Sequence, residues 1–182
     1  MKQRLVPALI GLALLGMALS VGLNYFRGKS SSPNPSGLDG RLTVTLPPSW
    51  STVESLNPLA NLKVGDPKAD IYLIVVSEKK SEVQGDNHTL QKYSQNARTR
   101  LTASMSGVRQ EGPWWVSVGQ HRALRYEIYG TAQDGMKVTY VHTIVETPEY
   151  FHQVVGWAEA SNYPKHRKAI REVADSVRED GR

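Results

Sequence analysis

Apolar residues recur along this chain at three spacings, and each spacing predicts a different kind of element. The first is continuous. From Leu5 to Phe26 there is no charge, a run of 22 residues. A helix needs roughly 20 such residues to cross the hydrocarbon core, so this run predicts a membrane helix. Lys2 and Arg4 precede it, and Tyr25, Phe26, Arg27 and Lys29 close it like an interfacial belt with a charged stop. Ala18-Leu19-Ser20 also offers a small-x-small cleavage site, so the alternative is a signal peptide. Either reading exports the remainder of the chain. Basic residues on both sides of the run leave its orientation unset. "GKSSSPNPSG" then has the Ser, Pro and Gly content of a flexible linker. The predicted division is an anchor or signal peptide over residues 1–27, a linker over 28–38 and a folded domain over 39–182.

The second spacing is two. "RLTVTL" alternates at Leu42, Val44 and Leu46, and Pro47-Pro48 ends it. "ANLKVGDP" is a further strand candidate. "ADIYLIVVS" is a buried strand, covered on both faces. Later come "GPWWVSVG", "ALRYEIYGTAQ", "MKVTYVHTIVE" and "EYFHQVVGWAE". Asp134-Gly135 predicts a two-residue hairpin loop between the second and third of these.

The third spacing is helical. Leu90, Tyr93, Ala97, Leu101 and Met105 form one stripe, with Thr89 as the N-cap and Gly107 as the stop. Ile170, Val173, Ala174 and Val177 form a second, with Pro164 in the first turn, where it is tolerated. Strand runs joined by hairpins, with two helices, predict an α+β domain: a mainly antiparallel sheet flanked by helices.

Charge changes this picture in one respect. The formal net charge is +5, but four of the 22 basic residues and none of the 17 acidic ones precede residue 37. From Leu38 onward 18 basic residues face 17 acidic ones, a net of +1. A nucleic-acid binder needs a basic domain surface for phosphate contacts, so no nucleic-acid partner is expected. The chain has no cysteine, which excludes disulfides, thiol chemistry and a lipid-modified Cys anchor.

The stretches "LTVTLPPSW", "GQHRALRYEIYG" and "YFHQVVGWAEASNYPKHRKAIREVADSV" together resemble the PsbP-like superfamily. Its members include the extrinsic PsbP proteins of photosystem II and the bacterial DcrB-like envelope proteins. The resemblance covers about residues 40–178. It implies an antiparallel sheet flanked by helices and a non-enzymatic accessory role through binding to other proteins. It carries over no functional residue.

Candidate chemistry is sparse. "GLNYFRGKS" has five residues between its glycines where a P-loop has four. There is no G-x-S-x-G, H-E-x-x-H or G-x-G-x-x-G. With a two-residue loop at Asp134-Gly135, Glu127 falls opposite His142. With Glu146 opposite Tyr150, His152 falls diagonal to His142 on the same face. Two His and one Glu are a metal-like set. A structural Glu127–His142 pair on the less apolar sheet face fits the same residues. Trp114-Trp115 places one indole on each face of a strand, one in the core and one available to a partner. Lys165, His166, Arg167, Lys168 and Arg171 form a basic run that suits anionic lipid or simple solvation. "NHT" at Asn87 matches a glycosylation sequon.

The function these residues predict is a membrane-anchored, exported, non-catalytic binding module that assists a protein complex in the cell envelope or thylakoid. It needs no cofactor, and its partners are the membrane and a protein still to be identified. The alternatives are a small metal-dependent or hydrolytic enzyme using Glu127, His142 and His152, and a lipid-contacting domain using the last helix.

Overall fold

The computed structural model describes residues 36–38, 40–85 and 88–179. The predicted membrane segment and the sequon's Asn87 lie outside them. Among the described residues no helix is long and apolar enough to cross a membrane.

In chain order the strands are β1 (Ser36–Gly37), β2 (Leu42–Thr43), β3 (Ser51–Thr52), β4 (Leu62–Asp66) and β5 (Ile71–Lys79). Helix α1 (Leu90–Thr102) follows. Next come β6 (Ser106–Val118), β7 (His121–Thr131), β8 (Lys137–Glu146) and β9 (Tyr150–Glu159). Helix α2 (Tyr163–Asp175) and β10 (Arg178–Glu179) close the chain. Seven strands form one sheet in the order β3-β4-β5-β9-β8-β7-β6, and every pairing in it is antiparallel. A small sheet, β1-β2-β10, ties the start of the domain to its end. The fold is therefore α+β, as the strand and helix periodicities predict. β1 lies in the stretch whose composition reads as linker.

The two helices cover opposite faces of the large sheet. α1 packs Leu90, Tyr93, Ala97 and Leu101 against Tyr72, Ile74, Leu124, Tyr126, Ile128, Ile144, Phe151 and Val155. α2 packs Ile170, Val173 and Ala174 against Leu73, Val75, Ala123, Val141, Val145 and Val154. Both faces are thus core, and the expectation that one sheet face is the less apolar one does not hold. α2 comes so close to the sheet that a Cβ at Gly156 would collide with Ile170 Cγ2. The α1 N-cap is Thr89, whose side chain accepts a hydrogen bond from Lys92 N–H at 3.3 Å. The helix ends at Thr102 rather than near Gly107. Gly107 instead takes a positive φ of 60° at an irregularity early in β6.

Register separates the predicted site. Between β7 and β8, Glu127 stands opposite Val141, and Tyr126 stands opposite His142. The turn is wider than a two-residue loop. Thr131 pairs with Lys137, Ala132 N–H donates to Met136 O at 2.8 Å, and Gly135 N–H donates to Ala132 O at 2.9 Å. A two-residue type I′ loop needs positive φ at both central residues. Here Gly135 has φ 84° and Asp134 does not have a positive φ. Between β8 and β9 the turn is tighter than expected. Thr147 N–H donates to Tyr150 O at 3.0 Å, so Glu146 pairs with Phe151 and Val145 with His152. Each hairpin is one residue away from its predicted register, and a one-residue slip moves a side chain to the other face.

Candidate functional site

Glu127 and His152 consequently lie on the α2 face, and His142 lies on the α1 face. Glu127 is level with Gly156 across β8, four positions along the strand from His152, or roughly 13 Å at strand rise. The Glu127/His142/His152 set does not converge. Among the described residues no group of three or more His, Asp or Glu side chains is arranged to hold a metal ion. The three residues belong instead to three separate arrangements.

Glu127 is completely buried and ionised beneath α2. Arg167 holds it with two hydrogen bonds, Nε to Oε1 at 2.8 Å and Nη2 to Oε2 at 3.0 Å. Arg171 Nη2 donates to Oε1 at 2.6 Å, and Tyr129 Oη donates to Oε2 at 2.8 Å. Tyr163 Oη donates to Oε1 as well. Burial alone would raise the carboxyl pKa. The Arg167, Tyr163 and Tyr129 hydrogen bonds outweigh it and bring the value down to about 2. Burial and the same carboxylate push Tyr129 up to about 12. Two cations of the basic run are therefore directed inward. Lys165 and Lys168 remain exposed, and Lys168 pairs with Glu172 one turn on at 3.6 Å. The run is not the uniform solvated or lipid-facing stripe that its spacing suggests.

His142 is fully buried below α1, with the Gln153 side chain as a polar neighbour and no well-aligned hydrogen bond to either ring nitrogen. Burial, with help from the nearby Arg98 charge, lowers its pKa to about 3, so the ring is neutral. Ser94 Oγ and Arg98 Nε, both on α1, are likewise buried without partners. Beside them Gln153 Nε2 donates to Tyr93 Oη at 2.9 Å, and Tyr93 donates to Glu78 Oε2 at 2.8 Å.

His152 is the centre of a hydrogen-bonded line across three strands. Its Nδ1 is 2.7 Å from Ser77 Oγ on β5, and its Nε2 is 3.1 Å from Glu179 Oε2 on β10. Tyr150 stacks on the ring with centroids 5.6 Å apart. Neither Ser77 nor Glu179 carries a local sequence signal. They are 75 residues before and 27 residues after the histidine, and only the sheet pairing unites them.

The outer edge of the sheet is β6. Trp115 is 52% exposed, and Trp114 and Val108 are each 38% exposed. The indoles point to opposite faces, as alternation requires, but neither is core. Each lies against a guanidinium: Arg122 is 4.7 Å from the Trp115 ring centre and Arg171 is 5.9 Å from that of Trp114. Arg171 thereby joins the surface indole to the buried Glu127. A bulge between Glu111 and Trp114, with Pro113 inside it, breaks the ladder just before the two indoles.

No family model matches the chain, and no curated protein matches it in sequence. Solved structures do share its fold. Cyanobacterial PsbP (CyanoP) from Synechocystis sp. PCC 6803 is similar with a TM-score of 0.58 at 13% identity, over 87% of this chain and 98% of that one. LpqN, described as involved in cell envelope biogenesis of Mycobacterium tuberculosis, is similar with a TM-score of 0.58 at 14% identity, over 77% of this chain and 83% of that one. At such identities the likeness is one of fold, and it is the PsbP-like fold that the sequence resemblance implies.

Proposed function

We propose that this chain is a membrane-anchored, exported accessory module that binds a protein of the cell envelope or thylakoid through the β6 edge of its sheet. The observation that carries the reading is the pair of exposed indoles at that edge. Leaving much of each indole surface in water forgoes part of the gain from burying it, and aromatics with Arg are the residues enriched in the buried centres of protein interfaces. Trp114 and Trp115 supply apolar area on both sides of one strand, and Arg171 and Arg122 supply the polar rim. The likeness to CyanoP and to an envelope-biogenesis protein supports an accessory role in an exported setting. The uncharged run from Leu5 to Phe26 supports attachment to the membrane. The enzyme reading built on Glu127, His142 and His152 loses its basis, because register scatters those residues.

Site-specific photo-crosslinking in native membranes tests this reading. A crosslinker at position 115 is expected to trap one discrete protein. The same group at exposed Lys68, in the turn between β4 and β5, is expected to trap none. Equal labelling from both positions, or none from 115, would contradict it.

A further inference from the structure

We infer that Ser77 is an activated nucleophile, with His152 as its general base and Glu179 as the carboxylate that orients the base. This goes beyond the binding reading and does not depend on it. Three features of the site carry it. The first is the unbroken line of contacts, 2.7 Å from Ser77 Oγ to His152 Nδ1 and 3.1 Å from His152 Nε2 to Glu179 Oε2. A carboxylate only accepts hydrogen bonds, so Nε2 bears the ring proton and Nδ1 presents its lone pair to the serine. The Ser77 hydroxyl then donates to Nδ1, which is the direction that proton abstraction requires.

The second feature is the pattern of exposure. His152 is 1% exposed, while Ser77 is only partly buried. The base is shielded and fixed by the stacked Tyr150 ring, and the nucleophile is within reach of solvent. Burial holds the His152 pKa below its ordinary value. Burial works against Glu179, but hydrogen bonds from Thr147 and His152 hold its pKa below the ordinary carboxylate value. The base is therefore free of a proton, and its partner is charged, at neutral pH.

The third feature is a donor beside the nucleophile. Asn61 Oδ1 accepts from Ser77 N–H at 2.8 Å, which places the side-chain amide of Asn61 against Ser77. In the proposed reaction the Nδ2 of that amide serves the developing oxyanion, a role that Asn side chains fill in acyl transfer.

The substrate class is a carboxylic ester. Ser77 Oγ bonds to the carbonyl carbon as its proton passes to His152 Nδ1, and the C=O π pair moves onto oxygen. Collapse re-forms the carbonyl and breaks the ester C–O bond, and the leaving alcohol takes the proton from Nδ1. Water then repeats the sequence and releases the acid and Ser77.

Treatment of the folded, full-length protein with a fluorophosphonate ester mimic, read by intact mass and peptide mapping, tests the proposal. One adduct at Ser77 is expected, with none on Ser77→Ala. His152→Gln and Glu179→Gln are expected to keep a cooperative melting transition, and His152→Gln to label about a hundredfold more slowly, the contribution of a positioned base. No Ser77 adduct on the folded wild type at neutral pH would overturn the proposal. So would labelling of wild type at the rate of both variants, which would leave the three residues as a pin holding β10 to the sheet.

Discussion

Arg167 grips the buried carboxylate of Glu127 in a two-point hold, Nε at 2.8 Å from Oε1 and Nη2 at 3.0 Å from Oε2. The guanidinium sits at the surface of α2, and the carboxylate lies on the middle of β7 with its side chain wholly covered. The pair therefore fastens the helix to the sheet by a charge that water does not reach. Removing one partner leaves the other uncompensated, which costs about 3–5 kcal/mol for a buried pair. Glu127→Ala falls in that range, because it strands Arg167, Arg171 and two tyrosines together. Arg167→Ala costs less, since Arg171 still holds the carboxylate and Arg167 is partly solvated. Urea denaturation of the two variants at neutral pH checks both the size and the order.

The same carboxylate sets an acid limit. Its folded pKa of about 2 lies below the ordinary 4.5. In the window between them the unfolded chain binds the proton and the folded chain does not. Stability from this group is thus complete above pH 4.5 and is lost as pH falls toward 2. The difference corresponds to about 3 kcal/mol. A pH series of melting curves on Glu127→Gln is expected to lie below wild type at pH 7 and to converge with it near pH 2.

His142 acts in a higher window. Its folded pKa is about 3 against an ordinary 6.5. The unfolded chain gains a proton here as pH falls below 6.5 and the folded chain stays neutral, so folding weakens from pH 6.5 downward. His152, also lowered by burial, adds to the same slope. His142 also buries two ring nitrogens without a well-aligned hydrogen bond, a cost of about 1–3 kcal/mol per orphaned group that the neighbouring Gln153 side chain offsets only in part. His142→Leu removes both effects. It is expected to raise the melting temperature by several degrees at pH 7 and to flatten the decline between pH 6.5 and 4.

Gly156→Ala is expected to destabilise by about 1–3 kcal/mol, the cost of overpacking. The added methyl meets Ile170 Cγ2 where α2 packs on β9. In an Ile170→Ala background, which lacks Cγ2, adding Gly156→Ala is expected to cost less than it does in the wild type, because the space the methyl needs is then free. Denaturation midpoints of the single and double variants measure this coupling.

What the sequence made legible was whatever repeats within one element. The stripe Leu90, Tyr93, Ala97, Leu101 and the apolar run of β5 announced a helix and a strand covered on both faces, and both exist. Register was not legible, because it is decided by how a turn closes. Asp134-Gly135 suggests a two-residue loop, yet the chain closes through Ala132 and Met136. Thr147-Pro148 marks a turn but does not say that Thr147 itself pairs with Tyr150. Each misjudged closure moved every side chain of a strand across the sheet, and with them Glu127 and His142. Ser77, His152 and Glu179 were beyond reach for another reason. Their meeting depends on β5 pairing with β9 and on a two-residue strand at the end of the domain, neither of which a local pattern encodes. Arg167 and Arg171 looked like solvated cations because a helix sequence does not reveal a buried carboxylate beneath it.

Binding through the β6 edge is tested by co-purification from native membranes, with Trp114→Ala/Trp115→Ala compared with wild type. Both indoles are exposed enough that the double variant is expected to keep its melting temperature within a few degrees. A stoichiometric partner recovered with the wild type is expected to fall at least tenfold with the variant, as loss of interface anchors requires. Equal recovery of that partner with a folded double variant would contradict binding at this edge and would place the interface elsewhere on the domain.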